Sequence, residues 1–142
     1  MLGEKNMQQE NARRVLEVVA GLIRSGDHFL ACQRPPEKAQ GLLWEFVGGK
    51  IEQGESGPEA LIRECREELG ITLEVDDAFM DVTHEYPELT VHLTLYRARI
   101  AQGEPKRLEH HDIRWITIEE MDALDFCPAD QAFLRAIRQR GL

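Results

Sequence analysis

Apolar positions recur along this chain in two rhythms. LEVVAGLIR, from Leu16, is a dense apolar run that predicts a strand; SGD predicts a turn, and HFLACQR the returning strand of an opening hairpin. RPPEKAQG predicts a loop, because Pro35 and Pro36 carry no amide proton for regular pairing. LLWEFVGG reads as one short apolar strand closed by two glycines. The rhythm then changes to threes and fours. GPEALIRECREELG predicts a helix with Ser56 as N-cap, Pro58 in the first turn and Gly70 at the end. ITLEV, AFMDVTHEY and TVHLTLYRARI predict three more strands, AQGEPKR a loop and DIRWI a short strand. IEEMDAL predicts a short helix, and PADQAFLRAIRQR a final amphipathic helix whose basic last turn suits the helix dipole. The order of elements gives a mixed α/β domain, a mostly β core flanked by helices. Residues 1–13 are polar and aperiodic and predict a flexible tail, leaving 14–142 as the domain.

Composition narrows the function. The chain has 142 residues, 42% apolar and 30% charged, an ordinary balance for one globular core. No apolar run approaches the roughly 18 residues of a membrane span, and MLGEKNMQQENARR lacks the apolar core of a secretion signal. Cys32, Cys65 and Cys127 are odd in number and never in a CxxC pair, so a reducing cytoplasm is expected. The net charge of −9 opposes binding to nucleic-acid polymers or anionic membranes. A small phosphorylated ligand would need local help from a metal or a few basic side chains.

The acid is concentrated. Residues 48–71 hold six glutamates, three of them at Glu64, Glu67 and Glu68. On a helical wheel with Glu64 at zero, Glu68 falls at about +40° and Glu67 at about −60°. Leu61, Cys65, Leu69 and Ile62 occupy the neighbouring sector, about +60° to +160°. The carboxylates therefore border the buried stripe, where a pocket wall would be. Clustered on a half-buried edge, they cannot all stay ionised cheaply. A hard divalent cation such as Mg²⁺ removes the conflict. Arg63, one turn before Glu67, can fix a carboxylate rotamer. The plainer alternative is a solvated acidic face with scattered ion pairs.

The whole pattern favours the first reading. Gly49, Glu55, Arg63-Glu64-Cys65, Glu67-Glu68 and Gly70-Ile71 resemble the complete Nudix box, nine positions over 23 residues. Only Cys65 departs, standing where the family prefers an aliphatic residue, and a buried thiol packs much like one. The resemblance implies an α/β/α sandwich, a mixed β-sheet core flanked by helices. It also implies hydrolysis of a nucleoside diphosphate linked to another group. By residue, it implies metal ligation by Glu64, Glu67, Glu68 and the Gly49 carbonyl, with Mg²⁺ as cofactor and Mn²⁺ able to substitute. Catalysis would rest on Glu64, Arg63 and Glu67, with Arg63 orienting Glu64 and Glu55 supporting the loop. Which glutamate takes the proton stays open.

LLWEFVGGKIEQGE resembles the entry to this motif in the MutT-type branch, which cleaves nucleoside triphosphates to monophosphate and pyrophosphate; Val47 stands where that branch usually has Pro. The resemblance implies substrate contacts from Arg34, Glu45 and Lys50, a metal-site role for Glu109 with His110 as neighbour, and base reading by Asp130. Each has a plainer reading: Arg34 as a loop cation, Glu109 as a surface loop residue, Asp130 as a carboxylate favoured by the last helix's dipole. An ionised Asp130 only accepts hydrogen bonds, so a donor edge on the base is expected. Phe79, Tyr86 and Phe126 are core residues or base stackers. Trp44 and Trp115 are expected to pack, Trp44 near the site mouth. His110-His111 lacks the further ligands of a zinc site. The expected substrate is a modified or oxidised nucleotide such as 8-oxo-dGTP or a modified CTP, handled by a monomer or homodimer. Tyr86 and Pro87 leave dinucleoside polyphosphates, ADP-ribose and nucleotide-sugars as alternatives, and a non-catalytic nucleotide-binding module is a further one.

Overall fold

Strand β1 (Arg14–Ser25) is the spine of the molecule, because both faces of its central stretch, residues 19–23, are buried. Ala20 and Leu22 point into one hydrophobic cluster, Val19 and Ile23 into the other. This is why its sequence is a continuous apolar run and not an alternating one. The computed structural model describes residues 14–142; the expected tail, residues 1–13, lies outside them.

The remaining strands are β2 (His28–Gln33), β3 (Trp44–Glu45), β4 (Gly48–Lys50), β5 (Thr72–Glu85), β6 (Leu89–Gln102) and β7 (Asp112–Ile116). The path β3-β2-β1-β6-β5 is extended by β4 on β1 and by β7 on β2. β1 runs parallel to β6 over Arg14–Ile23 and antiparallel to β2 and β4. Helix α1 (Gly57–Leu69) covers one side with Ala60, Leu61, Cys65 and Leu69. Helix α2 (Gln131–Arg140) covers the other with Phe133 and Ile137. Helices on both sides of a mixed sheet make the expected α/β/α sandwich. Burying Leu61 and Leu69 contributes about 1.5–3 kcal/mol each.

The two ends of α1 are fixed locally. Ser56 and Glu59 form a reciprocal capping box, and Gly70 ends the helix in the left-handed region at φ 68°.

Four sequence expectations change. ITLEV and AFMDVTHEY are one strand, β5, whose register shifts around Asp76-Asp77 mimic a break in the pattern. LLWEFVGG divides into β3 and β4, because Trp44–Glu45 pairs with β2 whereas Gly48–Lys50 pairs with β1. IEEMDAL condenses to a single 3₁₀ turn, Met121–Ala123. The last helix is preceded by another 3₁₀ turn, Pro128–Asp130.

The aromatics separate in kind. Phe126 packs in the core against Phe46 with the rings tilted by 37°, and Phe79 lies buried under the guanidinium groups of Arg97 and Arg140. Trp44 is buried, but Trp115 is 37% exposed, so the packing role expected of it holds only in part. His92 is a strand-surface residue, bonded at 2.6 Å to both Glu17 and Asp81 across three strands.

Candidate active site

The loop before α1 and the first turns of the helix are tied together by one cation. Arg63 donates from Nε to Glu55 Oε2 (2.7 Å) and from Nη2 to Glu55 Oε1 (3.0 Å) and the Lys50 carbonyl (3.1 Å). Its Nη1 donates to Glu64 Oε1 (2.8 Å) and Glu67 Oε2 (3.3 Å). The guanidinium fork has five donors, and this arrangement uses it almost fully. Glu55 also accepts from the Glu52 N–H at 2.9 Å. These bonds, Arg63 first, hold its carboxyl below the usual carboxylate range. The same contacts, led by Glu55, push the Arg63 guanidinium up, so it stays charged.

Two glycines bring β4 against this helix. A Cβ at Gly48 would collide with the Val19 carbonyl oxygen. A Cβ at Gly49 would sit 2.6 Å from the Glu64 carboxyl carbon. Glu64 therefore rests directly on the backbone of residue 49, and any side chain there would displace it.

The three helical carboxylates differ. Glu64 and Glu68 have 17% and 15% exposed side chains, Glu67 55%. Burial, then a hydrogen bond shared with Glu64 and the charges of Glu64, Glu109 and Glu45, push Glu68 up to about 9. Its Oε2 is buried without a hydrogen-bond partner. Such an oxygen is costly unless something else satisfies it.

A cleft of about 430 Å³ gathers most of the expected residues: Arg34, Glu45, Gly49, Lys50, Glu64, Glu67, Glu68 and Glu109 all line it. Glu55 supports it through Arg63 from outside the lining. A second lobe of about 340 Å³ shares Arg34, Glu45 and Gly48–Lys50, and continues to Phe46, Leu93, Cys127 and Asp130. One lobe is acidic and polar; the other is walled by apolar side chains with one carboxyl at its end. Arg34 faces both, held by Nε to the Ala39 carbonyl (2.8 Å) and by Nη1 to Glu45 (2.9 Å). A separate cavity of about 490 Å³, lined by Arg24, Arg99, Pro105 and Trp115 among others, contains none of the expected site residues. Tyr86 lies at the β5–β6 turn and lines neither lobe.

Two findings go beyond the sequence reading. His110, foreseen only as a neighbour of Glu109, has a 3% exposed side chain and lies 3.2 Å from Glu45 and 3.7 Å from Glu68. Its place after Glu109 was the sole local signal. Asp130 is 6% exposed rather than a surface cap residue, and makes no cap hydrogen bond. Burial, then the Glu45 charge, lift its carboxyl from 3.8 to about 8, opposed by a backbone hydrogen bond from Phe46 and the charge of Arg34. At neutral pH it is thus largely protonated. Where the ionised side chain would only accept hydrogen bonds, the neutral acid that burial favours also donates.

This carboxyl gives a pH prediction. Its folded value lies above its unfolded one, so its contribution to stability is complete below about pH 4 and is lost as pH rises toward 8. Asp130→Asn keeps the shape without the titration. Melting temperatures across this window should fall with pH in the wild type and less steeply in the variant, where the raised Glu68 still contributes a fall of its own. Parallel slopes would show that Asp130 is not the group responsible.

The donor set suits a hard divalent cation: several carboxylates on one edge, one with an orphaned buried oxygen, beside Gly49, which lines the same cleft. Among the described residues no three candidate ligands already converge tightly enough to chelate an ion. Arg63 holds Glu64 and Glu67 meanwhile. Glutamate side chains are long enough to close on a cation by rotamer changes.

Fold and family resemblance agree with the comparisons. The NUDIX domain model matches residues 18–136, and the chain belongs to the Nudix family as a hydrolase of the MutT type. It is 37% identical over 123 residues to the CTP pyrophosphohydrolase of Escherichia coli K12, covering 87% of this chain and 91% of that protein. It is 41% identical over 121 residues to a putative 8-oxo-dGTP diphosphatase 2 of Mycobacterium tuberculosis, covering 82% and 84%. The solution structure of the E. coli ORF135 protein superposes with a TM-score of 0.78 at 35% identity, covering 89% of this chain and 91% of that one.

Proposed function

We propose that this protein is a Mg²⁺-dependent pyrophosphohydrolase that cleaves a modified or oxidised nucleoside triphosphate to monophosphate and pyrophosphate. The observation that carries the reading is the joined cleft: a polyacidic lobe beside an apolar lobe that ends in Asp130, with Arg34 between them. A triphosphate suits the first lobe only with a cation present, and a base suits the second. The relatives' names, CTP pyrophosphohydrolase and 8-oxo-dGTP diphosphatase, fit this division.

Glu64, Glu67, Glu68, Glu109 and the Gly49 carbonyl would hold Mg²⁺, with Mn²⁺ an acceptable substitute. When bound, the cation neutralises the pyrophosphate and makes an attacking water more acidic. Arg34 and Lys50 meet phosphate oxygens, and Glu45 keeps Arg34 in place. Arg63 orients Glu64. A carboxylate of this edge, Glu64 or Glu67, removes the proton from water as its oxygen attacks phosphorus. The phosphoanhydride bond between the α and β phosphorus breaks, and its electron pair leaves with whichever fragment, monophosphate or pyrophosphate, the water does not attack. Asp130, as a neutral acid, donates to and accepts from the base edge, which suits an amide-like edge of an oxidised purine or a cytosine ring. The acidic surface and small cleft favour a free nucleotide over a polymer, and a cytoplasmic setting where such nucleotides arise.

Pyrophosphate release measured with Mg²⁺, and with EDTA, tests this. The panel should contain CTP, dCTP, 5-methyl-dCTP, 8-oxo-dGTP and dGTP, with ADP-ribose and a dinucleoside polyphosphate alongside. Metal-dependent turnover of a triphosphate, with pyrophosphate as product, is expected. Strong ADP-ribose or dinucleoside cleavage with inert triphosphates would move the protein to another Nudix class. Nucleotide binding without product would make it a binding module.

A further inference from the structure

One wall of the cleft is supplied neither by the acidic helix nor by the phosphate side. His110 stands there, its side chain 3% exposed. Its backbone is fixed by its neighbour: the His111 N–H donates to the Gln33 carbonyl at 2.9 Å, and Arg107 donates to the His111 carbonyl at 3.0 Å. The ring therefore projects from an anchored segment, not from a free loop tip.

From this position Nε2 reaches two carboxylates. Glu45 Oε2 lies at 3.2 Å and Glu68 Oε1 at 3.7 Å, while Nδ1 is buried with no hydrogen-bond partner. A carboxylate oxygen accepts, so the nitrogen facing Glu45 is the N–H. Glu45 uses its other oxygen, Oε1, to accept from Arg34 at 2.9 Å, and Arg34 is held in turn by the Ala39 carbonyl. A row of polar contacts thus runs from Arg34 through Glu45 and His110 to Glu68. Its two ends, Arg34 and Glu68, lie just past strand β2 and on α1. Without the ring between them, nothing would bridge the Glu45 and Glu68 carboxyl groups across the half-buried cleft.

We propose that His110 is the positioning residue that couples the phosphate-side pair Arg34–Glu45 to the cation-side carboxylate Glu68. This rests on the assignment of those residues to substrate and cation made above. With the ring in place, Glu45 cannot swing away from Arg34 without releasing His110, and Glu68 keeps a fixed distance from both. Phosphate and cation then meet a preset pair of partners. With the ring gone, the two carboxylates separate, Arg34 loses its fixed partner, and the two ligands lose part of their mutual dependence.

A buried imidazole that merely fills space behaves differently. Phenylalanine would replace it, and neither ligand would notice. Mn²⁺ binding, followed by the electron paramagnetic resonance of the free ion, separates the two cases without reference to turnover. It is read on the wild type and on His110→Phe, His110→Gln and His110→Asn, with and without a non-hydrolysable triphosphate analogue. Glutamine places an N–H near the position of Nε2; asparagine does not reach it. His110→Phe and His110→Asn should weaken Mn²⁺ binding about tenfold, as loss of a partner behind a metal ligand does, and His110→Gln should recover most of the affinity. Arg34→Ala should reduce the analogue's enhancement of Mn²⁺ binding in the wild type and add little in the His110→Phe background.

Equal Mn²⁺ affinity in the Phe variant and wild type would overturn the proposal, as would additive effects of Arg34→Ala and His110→Phe. If His110→Phe does not fold, the contrast between Gln and Asn decides: equal affinities contradict the coupling. Mn²⁺ binding that ignores both Glu64→Gln and Glu68→Gln would instead show that the cation lies elsewhere, removing the site assignment and this proposal together.

Discussion

Glu64→Gln should lower kcat by about 10²- to 10⁴-fold, the range for loss of a positioned proton acceptor, while the metal-free protein melts within a few degrees of the wild type. Glutamine has nearly the volume of glutamate, so the contact with Gly49 is kept. Its amide oxygen still accepts from Arg63, though a neutral acceptor makes a weaker bond than a charged one. What disappears is a negative charge on a crowded acidic edge, a loss that relieves repulsion with Glu68 and leaves the metal-free fold intact. The cation and the attacking water, by contrast, need that charge. Single-turnover kinetics beside thermal melts in EDTA make the comparison. A variant that loses stability in proportion to activity would mark Glu64 as structural.

The second large effect belongs to Arg63→Lys. Charge is conserved, yet five contacts made by a planar fork cannot be reproduced by one ammonium. Glu55, Glu64 and the Lys50 carbonyl would be left partly unsatisfied on a site where Arg63 is 22% exposed. Removing one partner of a buried pair costs about 3–5 kcal/mol; with some exposure and a residual charge, about 2 kcal/mol is the reasonable expectation here. Denaturant unfolding should report that loss, and kcat should fall along with it, because Glu64 and the loop before α1 lose their common anchor. Full stability together with full activity would mean that the network around Arg63 is incidental.

These two residues were legible in the sequence for a physical reason. Glu64, Glu67, Glu68 and Arg63 sit within two turns of one helix, so periodicity alone sets their relative directions. The glycines that let β4 approach lie just upstream in the same segment. Even the unequal exposure of the carboxylates follows from the wheel, since Glu68 falls nearer the apolar stripe than Glu67 does.

The rest depended on tertiary contacts, which no local pattern carries. His110 meets Glu45 across 65 residues of chain, and nothing near either position announces it. Asp130 looked like a residue in an amphipathic first turn. It is buried because the segment before it pairs with Trp44, which turns Pro128–Asp130 into a 3₁₀ step facing the cleft. The division of LLWEFVGG has the same origin: only Phe46 and Val47 separate two strands that pair with different partners, and an apolar run does not reveal which neighbour each half will meet. In β5, the bulge at Asp76-Asp77 interrupts the alternation without ending the strand, so pattern alone divides what hydrogen bonding joins.

The central claim is that the acidic edge of α1 exists to hold divalent cations against a nucleoside triphosphate. Crystals grown with Mn²⁺ and a non-hydrolysable triphosphate analogue, measured at the manganese absorption edge, test it most directly. Anomalous peaks are expected within coordination distance of Glu64 and Glu68 carboxylate oxygens and of the analogue's phosphates, with the base in the lobe that ends at Asp130. Manganese and nucleotide found instead in the cavity between Arg24 and Trp115, with the helical carboxylates turned to solvent, would contradict the account.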